Sequence, residues 1–155
     1  MRLNLACGDR PRPGYLNLDI IPGKGDRQAD CLDLDEFASG SIKEILAEHF
    51  VEHLTRPQLF AFFEQARLLL APGRALTLRT PCMRCLVLAA ASGEINLELL
   101  DLELFARHLH EHDFHRQGFW EEKFARLCAS FGFSDPEFEH GDGYEITMTA
   151  RRLPT

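Results

Sequence analysis

The sequence lacks any long uninterrupted apolar run. No stretch approaches the roughly 18 apolar residues that would span a bilayer. The first residues also lack the basic region and following apolar region of a secretion signal. Internal repeats, linkers and low-complexity tracts are absent as well. We therefore expect one cytoplasmic domain over residues 1–155, without a membrane partner, because a chain of this length is too short for two comfortable cores.

Basic residues are the minority among the charged ones. The chain has 17 Lys and Arg against 24 Asp and Glu, which gives a formal net charge of −7. Affinity for nucleic acid depends on Lys and Arg that neutralise phosphates. Nucleic acid is therefore a disfavoured partner, and the composition leaves the oligomeric state undetermined.

The five cysteines form no regular framework. Their odd number, in a chain without a secretion signal, predicts reduced thiols. Cys82 and Cys85 form one CxxC pair, but a zinc site usually has a second such pair or a Cys/His set. We therefore interpret this pair as structural or incidental and assign no metal ligand.

Two common phosphate-binding motifs are missing. A nicotinamide-binding fingerprint needs GxGxxG and an acidic residue about 20 positions further on. In this chain the glycines do not fit, and Asp19 follows Gly8 too soon. The P-loop pattern GxxxxGK[ST] is absent too. These absences favour a ligand without a pyrophosphate.

The most informative stretch is residues 3–20, LNLACGDRPRPGYLNLDI. A strand-like run from Leu3 to Ala6 stops at Gly8, and a second run from Tyr15 to Leu18 ends on Asp19. Glycine has no Cβ, so a ligand can approach the backbone after the first strand. A carboxylate at the end of the next strand can accept both hydroxyls of a ribose. The pattern predicts a ligand cradle at the carboxyl ends of two strands.

The rest of the chain alternates strand-like and helix-like segments. The predicted strands are Ala29–Leu34, Ile42–Ala47, Ala75–Arg79, Pro136–His140 and Tyr144–Ala150, and the predicted helices start near Thr55, Arg84 and Trp120. The middle helix is expected to continue to Arg107 and to form a helical cover over about residues 82–118. The Gly141-Asp142-Gly143 turn suits an antiparallel hairpin.

This order of elements predicts an open, twisted α/β sheet. We expect it to be mostly parallel with an antiparallel C-terminal strand and with helices on both faces. The first three strands are joined by short connections that leave little room for crossover helices. Either these crossovers are extended loops, giving a reduced N-terminal half, or the strand limits differ by a few residues.

The quoted motifs together resemble the class I, Rossmann-like S-adenosylmethionine-dependent methyltransferases. LNLACG stands at the place of motif I, EILAEHFVEHL resembles the fourth strand and its exit, and LLLAPGRALTLRTP and FWEEKFARLCASFGF resemble later family elements. The likeness is greatest to small predicted methyltransferases whose opening follows CGDxxxxGYxNxD. It implies S-adenosylmethionine as cofactor and S-adenosylhomocysteine as product. The resemblance places the cofactor at Ala6, Cys7, Gly8, Asp19, Asp30 and Cys31.

Methyl transfer needs few obligatory side chains beyond those that align the reacting atoms. His49, at the exit of the fourth strand, is the candidate for a general base near the methyl acceptor. The resemblance therefore implies a methyltransferase with an unidentified acceptor, expected to be a small molecule. The alternative is a non-catalytic S-adenosylmethionine-binding or regulatory module.

A histidine cluster provides a third, lower alternative. It consists of His108, His110, His112 and His115. Several imidazoles close together suit a metal-binding protein, although their spacing matches no fixed ligand pattern. We favour a solvated or substrate-facing segment here.

Overall fold

Seven strands and four helices make up the computed structural model, which describes residues 1–109 and 112–154. The strands are β1 Arg2–Leu5, β2 Leu16–Asp19, β3 Arg27–Gln28, β4 Ile42–Glu48, β5 Leu70–Pro81, β6 Glu137–Gly141 and β7 Glu145–Arg151. The helices are α1 Arg56–Leu69, α2 Met83–Ser92, α3 Leu97–Phe105 and α4 Glu121–Ser130, with one 3-10 turn at Val51–His53.

All seven strands form one sheet in the order β3-β2-β1-β4-β5-β7-β6. The pairs from β3 to β5 are parallel, whereas β7 is antiparallel to both of its neighbours, β5 and β6. The predicted α/β class, the mostly parallel sheet and the antiparallel C-terminal strand are confirmed. In a parallel sheet the carboxyl ends of β1, β2 and β4 lie at the same edge, where ligands bind in open α/β folds.

The strands at the centre of the sheet are buried on both faces, so they contain more apolar residues than a half-exposed strand would. In β1, Leu3 and Leu5 are buried, and the intervening Asn4 is buried as well. Its side-chain amide donates to Oδ1 of Asn17, its register partner on β2, over 2.8 Å. The repeated LNL pattern therefore forms a satisfied polar pair between two apolar rows.

The connections in the N-terminal half contain no helix. β1 and β2 pair in parallel although the loop from Ala6 to Tyr15 is their only connection, and β2 reaches β3 through a second loop. Of the two alternatives from the sequence, the extended-loop crossover is therefore correct. The predicted strand Ala29–Leu34 is wrong: the third strand is Arg27–Gln28, which lies just before the predicted range. Arg27 pairs with Leu18, and turns centred on Asp30 follow.

Helix α1 begins with a complete capping box. The Thr55 side chain accepts from the Gln58 N–H, and the Gln58 side chain accepts from the Thr55 N–H over 2.9 Å. Its apolar stripe, including Phe62 and Phe63, is fully buried against the sheet. The helix start predicted near Thr55 is confirmed, and β5 begins at Leu70, earlier than the predicted Ala75.

The middle helix predicted from Arg84 to Arg107 is two helices. Gly93 adopts φ +77° and ends α2 in a left-handed cap, and the Asn96 side chain caps α3 by accepting from the Leu99 N–H. The prediction of one continuous helix was wrong because the apolar spacing continues across Ser92-Gly93, although this pair is a helix-stop signal. Leu86, Ala89 and Ile95 form a second, smaller core here.

Helix α4 and the terminal hairpin are close to the predicted limits. Gly132, with φ +72°, follows the last turn of α4, and β6 and β7 pair in antiparallel register. Cys82 and Cys85 are joined in a disulfide, so the expectation of reduced thiols is wrong for this pair. Cys7, Cys31 and Cys128 are free and buried.

No helix in the described ranges has the length and apolar character needed to cross a membrane.

Candidate active site

A cavity of about 390 Å³ opens at the carboxyl edge of the sheet. Its size falls within the usual range for small-molecule sites. It lies where β1, β2 and β4 end, and its wall continues onto the segment that precedes α4. The lining residues are Ala6, Asp19, Ile20, Ile21, Asp30, Cys31, Leu32, His49, Phe50, His53, Leu54, Gln58, His112, Asp113 and Arg116.

The exit of β1 has the backbone of a glycine-rich loop, although its first position is alanine. Ala6 and Gly8 both adopt φ +51°, in the left-handed region that favours glycine. A Cβ added to Gly8 would meet no atom within 4 Å, so the space in front of it is open. Ala6 lines the cavity directly. The chain therefore keeps the left-handed turn that lets a ligand approach the backbone, at the cost of strain in Ala6.

The Asp19 carboxylate connects the loop after β1 to the loop after β2. Oδ2 accepts from the Gly8 N–H over 2.7 Å, and Oδ1 accepts from the Ile21 N–H over 2.8 Å. The residue is only 5% exposed and lines the cavity. A carboxylate has about four acceptor positions, so two backbone bonds leave room for two ligand hydroxyls. Asp19 is fixed in place and can still accept from a diol.

Asp30 and Cys31 line the cavity next to Asp19. Oδ1 of Asp30 accepts from the Leu32 N–H over 2.9 Å, which closes a local turn. The Cys31 thiol accepts from the Ala6 N–H over 3.3 Å, and its burial raises the pKa to about 12. The thiol is therefore neutral and holds the β1 exit against the loop after β3.

Two of the predicted cofactor positions are not part of the cavity wall. Cys7 is buried, and its Sγ lies against the loop that contains Gly25. Gly8 contributes through its N–H to Asp19. Five of the seven predicted site residues line the cavity: Ala6, Asp19, Asp30, Cys31 and His49.

His49 leaves β4 with a left-handed backbone, φ +52°, and is held between two carboxylates. Its Nε2 lies 2.8 Å from Glu145 Oε1, and its Nδ1 lies 3.4 Å from Glu52 Oε1. The Glu52 contact, aided by Glu145 and opposed by burial, raises the pKa of His49 above its usual value. Arg79 forms an ion pair with Glu145, which fixes that carboxylate beside the imidazole.

Glu52 and His53 follow on the 3-10 turn, and the segment before α4 brings His115 against them. The Glu52 carbonyl accepts from the Arg116 N–H over 2.7 Å, and this bond docks the segment. The rings of His53 and His115 meet edge to face with centroids 4.8 Å apart. Burial lowers the pKa of His53, and the neighbouring His115 adds to this effect.

Part of the wall comes from the segment before α4, which the sequence analysis described only as solvated or substrate-facing, without naming the individual residues. His112, Asp113 and Arg116 line the cavity, although this segment is distant in sequence from the strand exits. The polar pattern of residues 108–116 was the available signal. The four-histidine cluster does not assemble as one group in the part of the chain described here: His108 stacks on Phe114, and His115 joins His53. His110 lies outside the described residues.

Comparison with solved structures shows the fold of class I methyltransferases. A S-adenosylmethionine-dependent methyltransferase from Archaeoglobus fulgidus superposes with a TM-score of 0.69 at 14% identity, covering 97% of this chain and 85% of that chain. The CurJ carbon methyltransferase has a TM-score of 0.68 at 16% identity and covers 99% of this chain, which spans 48% of that chain.

A third similar structure contains bound small molecules. It is the 1,6-didemethyltoxoflavin-N1-methyltransferase of Burkholderia thailandensis, with bound 1,6-didemethyltoxoflavin and S-adenosylhomocysteine. Its TM-score is 0.64 at 14% identity, covering 99% of this chain and 71% of that chain. No protein-family model matches the chain, and no curated protein matches it. At these identities, the likeness establishes the fold.

Proposed function

We propose that this protein binds S-adenosylmethionine and transfers its methyl group to a small-molecule acceptor, leaving S-adenosylhomocysteine. The observation that carries the proposal is the Asp19 carboxylate, held by the backbone amides of Gly8 and Ile21 at the wall of the cavity. The methyltransferase fold and the small-molecule substrate of the toxoflavin methyltransferase support it.

The residues at the strand exits fit the nucleoside part of this cofactor. The open space in front of Gly8 and the left-handed backbone at Ala6 provide a surface without protruding side chains. Asp19 would accept the ribose hydroxyls, and Asp30 would accept the adenine amino group with the Cys31 N–H facing a ring nitrogen. Cys7 supports the turn from its buried side. Ile20, Ile21 and Leu32 supply apolar contacts for a flat ring.

The bound cofactor would supply a methyl group on a positively charged sulfur, open to in-line displacement. The chain would hold the acceptor in line and exclude water. We assign His49 to the acceptor side, as the residue that receives the proton released by an acceptor hydroxyl or amine. His112, Asp113 and Arg116 face the same cavity. We propose that they select the acceptor and that residues 82–118 form a helical cover within a single domain.

Calorimetry with S-adenosylmethionine tests cofactor binding. Asp19→Ala should weaken binding by about tenfold to a hundredfold, since a hydrogen bond to a charged group contributes about 1.5–3 kcal/mol. Glu98→Ala, on exposed α3, is the control and should leave binding unchanged. Absence of binding by the unaltered protein would refute the proposal, and unchanged affinity in Asp19→Ala would remove Asp19 from the site.

Turnover separates an enzyme from a binding module. Release of S-adenosylhomocysteine would be measured with a panel of hydroxyl and amine acceptors. His49→Asn is the suitable variant because asparagine tolerates the left-handed backbone observed at this position. We expect the rate to fall by about 10²–10⁴-fold while affinity for the cofactor is kept. A protein that binds the cofactor but methylates no acceptor would favour the non-catalytic module.

A further inference from the structure

Glu52 is a buried carboxylate with too few partners. The residue is 1% exposed, and within residues 1–109 and 112–154 neither side-chain oxygen has a hydrogen-bond partner. The His49 ring approaches at 3.4 Å, which is longer than a good hydrogen bond. Burial of an ionised carboxylate is costly unless it is paired or bound to a metal ion. The Glu52 carboxylate therefore lacks the partners that its burial requires.

Two histidines next to Glu52 are oriented by backbone carbonyls. Nδ1 of His53 lies 3.2 Å from the Phe114 carbonyl oxygen, and Nδ1 of His115 lies 2.9 Å from the Glu103 carbonyl oxygen. A carbonyl oxygen only accepts, so each Nδ1 is the donor, and in the neutral form of each ring Nε2 keeps its lone pair for a metal ion. This arrangement is typical of metal-binding histidines, whose second nitrogen donates to a carbonyl or carboxylate.

The donor atoms of these residues also lie close enough to share one ion. One ligand atom each from Glu52, His53 and His115 lies within 4.8 Å of the others. Ligands about 2.1 Å from a tetrahedral ion are about 3.4 Å apart, so small side-chain rotations would close the site. Glu52 and His115 line a void of about 10 Å³ together with Thr80. The buried Thr80 hydroxyl likewise has no partner among the described residues.

We propose that Glu52, His53 and His115 bind one divalent transition-metal ion, with Zn²⁺ as the reference ion. Two imidazoles and one carboxylate suit Zn²⁺, Co²⁺ or Ni²⁺ better than Mg²⁺ or Ca²⁺, which prefer oxygen ligands. Three protein ligands leave a further coordination position for water or another small ligand. This site is separate from the proposed cofactor contacts at the exits of β1 and β2 and does not depend on methyl transfer.

A second group, Cys82, Cys85 and His140, has similar spacing but different chemistry. Its two sulfurs are joined in a disulfide, so they are not thiolate ligands. Without a reductant the disulfide stays intact, so this group should not bind Zn²⁺ and serves as an internal control.

Zinc binding by the untagged protein tests the proposal. The protein would first be treated with a chelator, then titrated with Zn²⁺ near neutral pH without reductant, and Co²⁺ would report coordination through its visible absorption. We expect one ion per chain. Glu52→Gln, His53→Gln and His115→Gln should each weaken binding by at least about 100-fold, since even outer residues that orient ligands cost 10–100-fold.

Two control substitutions and one measurement on the unaltered protein show whether a loss of Zn²⁺ binding comes from the proposed ligands. His140→Gln and His108→Gln should bind Zn²⁺ like the unaltered protein, and circular dichroism would show that each variant is folded. If a ligand variant fails to fold, nitrogen NMR of the unaltered protein decides: Zn²⁺ should shift the Nε2 resonances of His53 and His115. Lack of stoichiometric binding, binding unchanged in all three ligand variants, or unshifted resonances would overturn the proposal.

Discussion

At the scale of single residues, the exit of β1 contains a conflict between side chain and backbone. Ala6 has φ +51°, where an L-residue is strained and glycine is not. Its N–H is nevertheless bound to the Cys31 thiol, so the conformation is fixed by its neighbours. The strain lies at a position that faces the cavity, which is where strained residues tend to occur.

Ala6→Gly should therefore stabilise the protein by about 0.5–1 kcal/mol, because relief of the left-handed strain exceeds the added chain entropy of glycine. Urea denaturation would measure the change. Ala61→Gly, on the exposed face of α1, is the matched control and should destabilise by about 1 kcal/mol. Equal destabilisation by both substitutions would contradict the strain at Ala6.

Lys123 should make the free energy of unfolding depend on pH. Burial, together with the charges of Arg56 and Arg126, lowers its pKa to about 8. In the unfolded chain this lysine keeps its proton to about pH 10.4. Between these values the unfolded state binds more protons, so the lysine's cost to stability is present below pH 8 and is lost as the pH rises towards 10.

We therefore expect the unfolding free energy of the unaltered protein, relative to Lys123→Met, to rise from pH 8 to pH 10. Paired urea titrations across this range would measure the difference, in which contributions from other groups cancel. Lys43→Met, at an exposed position of β4, should leave a flat difference. A flat difference for Lys123→Met as well would show that burial does not perturb this amine.

At the scale of elements, the loop between β2 and β3 replaces a crossover helix and depends on one close contact. A Cβ on Gly25, at φ +65°, would lie 2.7 Å from both the Asn17 carbonyl oxygen and Cys7 Sγ. Gly23, in the same loop at φ +81°, would meet nothing within 4 Å. The loop can therefore pack this closely against β2 and the β1 exit only if residue 25 is glycine.

Gly25→Ala should cost more stability than Gly23→Ala. Both substitutions carry the left-handed penalty of about 1–2 kcal/mol, and Gly25→Ala adds a steric overlap of about 1–3 kcal/mol. Thermal unfolding of the two variants would measure the difference. Equal losses would mean that the loop moves away from β2 without cost.

At the scale of the whole molecule, stability is unevenly distributed. The large core lies along the sheet and α1, whereas α2 and α3 share the small core of Leu86, Ala89 and Ile95. Helix α3 has no fully buried residue. Elements with little buried apolar surface open at lower free energy than the global unfolding transition.

Hydrogen exchange should follow this division. We expect the amides of α3, Leu97–Phe105, to exchange at least about tenfold faster than those of β4, Ile42–Glu48, because α3 opens without disrupting the main core. Mass spectrometry of exchanged peptides would measure both segments in one experiment. Similar protection in the two segments would indicate that α3 unfolds only with the sheet.

The sequence predicted the sheet class, the hairpin and most helix starts because these depend on local signals such as capping residues, glycine turns and apolar spacing. The prediction failed for β3, because this two-residue strand is defined by its pairing with β2 and not by a local sequence preference. At the cavity, Asp19 is the last residue of β2 and His49 directly follows β4, and both were identified from the sequence. The contact of Glu52 with His115 joins residues far apart in the chain, so no local pattern indicates it.

The docking of the segment before α4 has a mechanical consequence. The Glu52 carbonyl accepts from both Arg116 and Gln117 N–H groups, and the Gln117 side chain donates to the Leu54 carbonyl. Leu54 and Arg116 both line the cavity, so these hydrogen bonds join two parts of its wall that are distant in sequence. A ligand that displaces the turn after β4 is therefore expected to displace Arg116, on the facing part of the wall, as well.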